Sequence, residues 1–363
     1  MWTFYNPVDV HAGCGSLARL PELLGQRRAI LIAFPEAIAL GLVDRIRDLL
    51  GDRLAAVETE VLPNPDVQWL APLYERLWRD HPEIDCVIAL GGGSVIDCAK
   101  VMLTRPGTGR FDELLAMIEN TNAGPAAPGC HRKLLAIPTT AGTGSEVTPW
   151  ATVWDQARAR KLSLQLPWTW PQAAIVDADL MLSLPHAATL ASGLDALSHA
   201  LESLWNVHRN PVSASLAVSA ARSIVATLPQ LLHQPHRRDL RERLATAALQ
   251  AGLAFSNTRT ALAHSLSYDI TLQHGTPHGI ACSFSLPRIM RLAAGRDPVL
   301  DALLLGVFDA RRMDEAVASL SAFLQGLGVS IDPSRYGIAE SDWDDRISQA
   351  LAGARGRNFI AAA

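Results

Sequence analysis

The sequence predicts an α/β domain with a parallel sheet over residues 1–182, followed by an all-helical domain over residues 183–363. Three observations carry that expectation. Short apolar runs alternate with helical periodicity through the first half, the pattern of βαβ units. A triple-glycine turn sits between one such run and a helical segment. After about Leu184 the chain changes to alanine-rich helical stretches, which puts the boundary near Asp177 to Pro185. A length of 363 residues suits two domains of ordinary size.

Arg28 to Phe34 encloses Ala29-Ile30-Leu31-Ile32-Ala33 and reads as a buried strand. Ala37 to Leu50 and Val67 to His81 read as helices, the first amphipathic. Ala55 to Leu62, Cys86 to Leu90, Leu134 to Ile137 and Ala173 to Val176 supply further strands. Asn122 to Pro128 is loop-like, broken by Gly and Pro. Pro185 to Val207, Pro211 to Leu232, Asp239 to Ser256 and Thr260 to Gln273 read as successive helices. No internal repeat or low-complexity tract interrupts them.

Composition narrows the function. Hydrophobic residues make up 49% and charged residues 19%, so the chain can bury large cores and is not of disordered type. A formal net charge of −4 favours neither nucleic acid nor an acidic membrane surface as partner. Arg237, Arg238, Arg241 and Arg243 are interleaved with acids, as on a solvated helix face. Cys14, Cys86, Cys98, Cys130 and Cys282 are odd in number and lack CxxC spacing, which argues against a disulfide framework or a cysteine zinc site. The first residues lack the basic and apolar regions of a signal peptide. No unbroken apolar run reaches the roughly 18 residues of a membrane span. A cytoplasmic location is the expectation.

Cys86 to Asp97 reads as strand, glycine turn and helix. Gly91, Gly92 and Gly93 let the backbone approach a pyrophosphate, and the helix N-terminus offers free N–H groups. Ser94 can cap that helix or donate to phosphate, and Asp97 is expected in its first turn, where a carboxylate favours the dipole. A second polar loop, Thr139-Thr140-Ala141-Gly142-Thr143-Gly144-Ser145-Glu146, follows the strand Leu134 to Ile137. Hydroxyls and glycines there belong to the ligand-binding edge of an open sheet. GxGxxG spacing is absent, so the standard dinucleotide fingerprint does not apply in detail.

The second half carries four candidate metal ligands. Asp195 and His199 lie four apart in one predicted helix and so share a face. His264 and His278 follow on later segments. Three neutral imidazoles and one carboxylate suit Fe(II) or Zn(II) rather than magnesium or calcium.

With these motifs the chain resembles the iron-containing, or group III, alcohol dehydrogenases. The matching segments are Gly91–Lys100, Pro138–Thr148, Ile175–Pro185, Gly193–Ser203 and the His264/His278 pair, with Asn64-Pro65 as a short PNP element. The resemblance runs from about Tyr5 to at least Ser285. It implies the dehydroquinate synthase-like fold, a Rossmann-like domain with a helical one. It implies Asp195, His199, His264 and His278 as metal ligands, for Fe(II) or Zn(II). It implies Gly91, Gly92, Gly93, Ser94 and Asp97 as the pyrophosphate and ribose–nicotinamide loop of NAD(P)H. Thr139, Thr140, Thr143 and Ser145 become the second cofactor loop, and Lys161 the lysine at the cofactor's ribose. Relatives commonly form homodimers through their N-terminal segments.

Three departures from the family pattern stand out. Tyr268 occupies the place of a histidine that helps move protons in relatives. Phe34-Pro35-Glu36 stands where an acid often accepts from the adenosine 2′-OH, which leaves NAD or NADP open. Arg259, about one turn before His264, is a candidate clamp for an anionic substrate or a salt-bridged structural residue. The segments around His264 and His278 resemble the branch containing phosphonoacetaldehyde reductases.

The implied reaction is hydride transfer between nicotinamide and the carbonyl of a small aldehyde, with cofactor and metal presented from opposite walls of a cleft. Tyr268, His274, a ribose hydroxyl or water can relay the proton, and Trp150 can shape the pocket. The alternatives are a metal-independent maleylacetate reductase-like enzyme, a generic short-chain alcohol dehydrogenase, a dehydroquinate synthase, and a non-catalytic binding protein of the same fold. The intact carboxylate and histidines, and the scarcity of basic residues in the expected loops, weigh against the first and third.

Overall fold

The computed structural model describes residues 1–119, 130–158 and 160–362. The loop expected over Asn122 to Pro128 lies outside the described residues. The chain forms two compact units. One comprises Pro7–Thr140 and Ser145–Met181, the other Met1–Asn6, Ala141–Gly144 and Leu182–Ala363.

The first unit is built on a six-stranded, wholly parallel sheet. Its spatial order is Asp9–Ala12, Ala173–Val176, Lys133–Pro138, Cys86–Gly91, Ala29–Ala33 and Leu54–Glu58. Central strands are apolar throughout because both faces are covered. Ile30, Ile32, Val87 and Ala89 enter one core, and Ala29, Leu31, Ile88 and Leu90 enter the other. That is the two-residue alternation of a pleated strand. Cys86–Gly91 and Lys133–Pro138 are adjacent and in register, with Gly91 opposite Pro138. The two polar loops therefore leave the sheet side by side at its carboxyl edge.

Several expectations change. The helix expected from Ala37 begins at Leu42, because Pro35–Ala37 forms a separate 3-10 turn and Gly41 takes a left-handed φ of 68° at the N-cap. Trp150–Asp155 and Arg160–Gln165 form an antiparallel hairpin that the sequence pattern does not single out. Asp9–Ala12 adds an edge strand.

The second unit is helical. His186–Leu204, Pro211–His233, Arg238–Thr258 and Leu262–His274 match the four expected helices to within a few residues. His278–Ser283, Leu286–Ala293, Pro298–Phe308, Met313–Gly326 and Trp343–Ala352 follow. Asn210 caps Pro211–His233, its side chain accepting from the Val212 and Ser213 N–H groups. That helix is long and apolar enough to span a bilayer. Ala217, Ala220, Ala221, Ile224 and Leu228 are buried in the unit's core, the ordinary reason for such a composition.

Candidate metal centre and cofactor loops

The metal centre starts from one buried helix. In His186–Leu204 every residue from Ser192 to Leu204 is buried, so Asp195 and His199 project one turn apart into the unit's interior. Two glycines let other elements approach. A Cβ on Gly193 would come within 2.8 Å of Leu228 Cδ1, and one on Gly279 within 1.8 Å of the Ala191 carbonyl oxygen. His278–Ser283 can lie flush on His186–Leu204 only with glycine after His278, and that contact delivers the His278 ring. His264 comes from the first turn of Leu262–His274.

The four sequence-predicted ligands converge. Asp195 Oδ1 lies 3.4 Å from His264 Nε2 and 3.9 Å from both His199 Nε2 and His278 Nε2. Donors bound at roughly 2.1 Å around a tetrahedral ion sit about 3.4 Å apart, close to these distances from Asp195, although His199 lies outside the group of Asp195, His264, His278 and Cys282 whose ligand atoms are all within 4.8 Å of one another. Asp195 Oδ1 and His264 Nε2 are buried with no hydrogen-bond partner among the described residues, a costly condition that a metal would relieve. His199 is fixed by stacking on Phe255, with ring centres 4.1 Å apart, and on His264 at 4.6 Å. His278 is the exposed member, its side chain 36% accessible. For Asp195 and His199, the protonation state suits ligation. Burial alone would raise the Asp195 pKa, but the surrounding imidazoles hold it well below the usual carboxylate range. Burial lowers His199 to about 4, against the pull of Asp195, and so keeps it neutral.

Two further residues at the centre have no assignment from sequence. Glu202 is fully buried, and its carboxylate accepts from His264 Nδ1 at 2.6 Å and from the Ala263 N–H at 2.6 Å. Burial opposes its charge, yet the His264 interactions bring its pKa below the ordinary value. An acceptor at Nδ1 leaves Nε2 as the metal-facing lone pair. Cys282 lies one turn after His278. Its Sγ shares a cluster with Asp195, His264 and His278 in which all ligand atoms are within 4.8 Å of one another. Its signal was the four-residue spacing from His278 on one helix.

Tyr268 stands beside this centre, its ring stacked on His278 at 6.3 Å. His274 ends the same helix, exposed, and its ring lies where a Cβ on Gly337 would be. Arg259 is exposed, with a left-handed φ of 67°. No hydrogen bond, ion pair or ring contact among the described residues joins His274 or Arg259 to the four ligands.

The cofactor loops are braced from beneath. The helix Gly93–Val101 begins at Gly92 with no side-chain cap, so its first N–H groups remain available to an anion. A Cβ on Gly92 would meet Thr140 Cγ2 at 3.2 Å, and the Thr139 N–H donates to Gly91 O, so the loops touch through glycine backbone. Ser94 does not cap the helix. It is the second residue inside, and its hydroxyl accepts from the Asn64 N–H. Asp97 is likewise not in the first turn. Because the helix starts at Gly93, the Asp97 carboxylate turns away to accept from Ser145 Oγ at 2.6 Å and the Thr152 N–H at 2.8 Å. Lys100, fully buried, donates to the Ser145 and Trp150 carbonyls. The backbone of Ser145 and Trp150 is thus held by a helix cation. Thr143 is half-buried, and Lys161 lies 5.4 Å over the Trp154 ring in the hairpin. Glu36 follows its strand in an exposed 3-10 turn.

A parallel sheet with glycine and hydroxyl loops at its carboxyl edge, followed by a helical unit with a buried metal-ligand set, is the architecture of a metal-centred alcohol dehydrogenase. The chain belongs to the iron-containing alcohol dehydrogenase family. Iron-containing alcohol dehydrogenase matches residues 7–178, and the Fe-containing alcohol dehydrogenase family, C-terminal, matches residues 189–362. Among solved structures, sulfoacetaldehyde reductase from Bifidobacterium kashiwanohense in complex with NAD+ superposes with a TM-score of 0.88 at 26% identity, covering 99% of this chain and 94% of that one. The bifunctional aldehyde-alcohol dehydrogenase of Escherichia coli K12 is 33% identical over 80% of this chain, which spans only 34% of that protein's length. Phosphonoacetaldehyde reductase of Streptomyces viridochromogenes is 37% identical over 57% of this chain and 53% of its own.

Proposed function

We propose that the protein is an NAD(P)H-linked, metal-dependent reductase of small aldehydes, running reversibly as an alcohol dehydrogenase. The observation that carries this reading is the approach of three imidazole Nε2 atoms to Asp195 Oδ1 at 3.4–3.9 Å. When bound, Fe(II) or Zn(II) supplies Lewis acidity toward the carbonyl oxygen. Asp195 supplies the compensating charge, and Glu202 keeps the His264 lone pair aimed at the ion. The nicotinamide supplies the hydride. Gly91 to Ser94 and the helix they open hold its pyrophosphate, with Thr139, Thr140, Thr143 and Ser145 beside them. Asp97 and Lys100 keep the second loop in place. Tyr268 would hold a proton for the substrate oxygen, a role supported by its ring lying beside the most exposed ligand, His278.

Within this reading the substrate is a short aldehyde carrying a phosphonate or a similar anion. Segmental resemblance to the phosphonoacetaldehyde reductase and the overall likeness to the sulfoacetaldehyde reductase support it. A homodimer is the favoured assembly, because Asp9–Ala12 is a sheet edge and Trp2 and Tyr5 are exposed beside it in sequence. The odd number and scattered spacing of the cysteines fit a reducing cytoplasm.

NADH and NADPH oxidation by the Fe(II)- or Zn(II)-loaded protein tests the reading, with phosphonoacetaldehyde and neutral short aldehydes as substrates. Turnover that disappears on chelation and returns with metal supports it. Full activity without metal, or none with any aldehyde, would contradict it.

A further inference from the structure

The far C-terminal segment, which carries no recognisable motif, brings a cation to the metal centre. The Arg355 guanidinium carbon stands 4.8 Å from the centre of the Tyr268 ring. That same ring is stacked on His278, the most exposed ligand, with 6° between the planes. Tyr268 therefore touches both a metal ligand and a guanidinium.

Arg355 is held by its backbone, not by chance packing. A Cβ on Gly356 would come within 1.9 Å of the Ala350 carbonyl oxygen, so the chain leaving helix Trp343–Ala352 turns back tightly. Asn358 donates to Thr260 O through its side chain at 2.8 Å and to Arg355 O through its N–H at 3.0 Å. The Val207 N–H donates to Asn358 O, and the Ile360 N–H to Trp205 O. The segment is thereby tied to the chain just after the helix that carries His199 and just before the helix that carries His264.

The guanidinium has no acidic partner among the described residues. Arg209 and Arg288, in the same unit, are paired with Asp297 and Glu340. Arg355 is half-buried, lies over an aromatic face, and lacks such a carboxylate. A guanidinium held over an aromatic face keeps its N–H groups available to an anion. A planar fork of that kind matches two oxygens of a tetrahedral anion.

We propose that Arg355, positioned on Tyr268, is the clamp that selects an aldehyde bearing a terminal tetrahedral oxyanion, a phosphonate or a sulfonate. This rests on the aldehyde-reductase reading and names its specificity residue. Arg355 takes the role that the sequence pattern offered to Arg259.

The test uses metal-loaded wild type, Arg355→Met, Arg355→Lys and Arg259→Ala. Ethylphosphonate, ethanesulfonate and 1-propanol are titrated calorimetrically in the presence of NAD. Phosphonoacetaldehyde, sulfoacetaldehyde and propanal are assayed as substrates. Arg355→Met should weaken the bound anion roughly 10- to 100-fold and raise KM for the matching aldehyde alike, as loss of a charge-assisted hydrogen bond does. KM for propanal should move less than about threefold, and Arg355→Lys should recover part of the loss. Whichever anion wild type binds more tightly identifies the source. Equal shifts for anionic and neutral ligands, or a selective loss in Arg259→Ala but not Arg355→Met, would overturn the clamp. Failure of every aldehyde to be reduced would sink the reductase reading instead, and the calorimetric arm would still decide the clamp.

Discussion

His264 Nδ1 donates to Glu202 Oε2 at 2.6 Å, and the opposite ring nitrogen of His264 lies 3.4 Å from Asp195 Oδ1. One buried carboxylate thus decides which nitrogen of the imidazole faces the metal. Replacing Glu202 by Gln removes that charge and lets the ring choose its tautomer. Metal affinity should fall roughly 10- to 100-fold, as for other residues that orient a metal-bound histidine. Competition against a chromogenic chelator measures it. Unchanged affinity would mean that Glu202 only fills the core.

Cys282 offers a soft donor beside the four ligands, its Sγ 3.7 Å from His278 Nε2. In the proposed centre, oxygen and nitrogen alone hold the metal. Cys282→Ser should therefore keep full metal stoichiometry. The cobalt-substituted wild type should lack an intense thiolate-to-cobalt band in the near ultraviolet. An intense band that vanishes in Cys282→Ser would make the sulfur a ligand and revise the donor set.

Glu146 gives a pH signature in the α/β unit. Burial raises its pKa from 4.5 to about 7. The folded state then binds more protons than the unfolded state between those values. Stability from the neutral carboxyl is fully present below 4.5 and is lost as pH rises through about 7. Neighbouring Lys100, lowered to about 8 by its own burial, stays protonated across that window. Glu146→Gln should abolish the loss, which is about 3 kcal/mol, since each tenfold change in proton affinity is worth about 1.4 kcal/mol. Urea midpoints of both proteins from about pH 4 to about pH 8 measure it, and parallel curves would contradict the assignment.

Much of the fold and site was legible in the sequence because helix and strand periods report directly on burial. Asp195 and His199 show their shared face through a four-residue spacing, and Cys86 to Gly93 announces strand and turn by composition alone. Helix starts were less legible. Ser94 looked like the cap, but the chain caps with Gly92 backbone, which moved Asp97 from the dipole to a brace under Ser145. Glu202 lay unassigned inside a recognised motif, because a carboxylate one turn past His199 reads as an ordinary helix acid until a partner from another helix is known. The Trp150–Asp155 hairpin hid behind the polar loop before it. Arg355 had no local pattern at all. Its meaning comes only from long-range packing of the C-terminal segment.

The most direct test of the central claim is metal content and dinucleotide binding measured together in wild type and His264→Ala. Wild type should hold about one tightly bound Fe(II) or Zn(II) per chain. The variant should lose that metal and aldehyde reduction with it, while its NADH or NADPH affinity changes little. A variant that keeps its metal and its activity would contradict a catalytic centre built on Asp195, His199, His264 and His278.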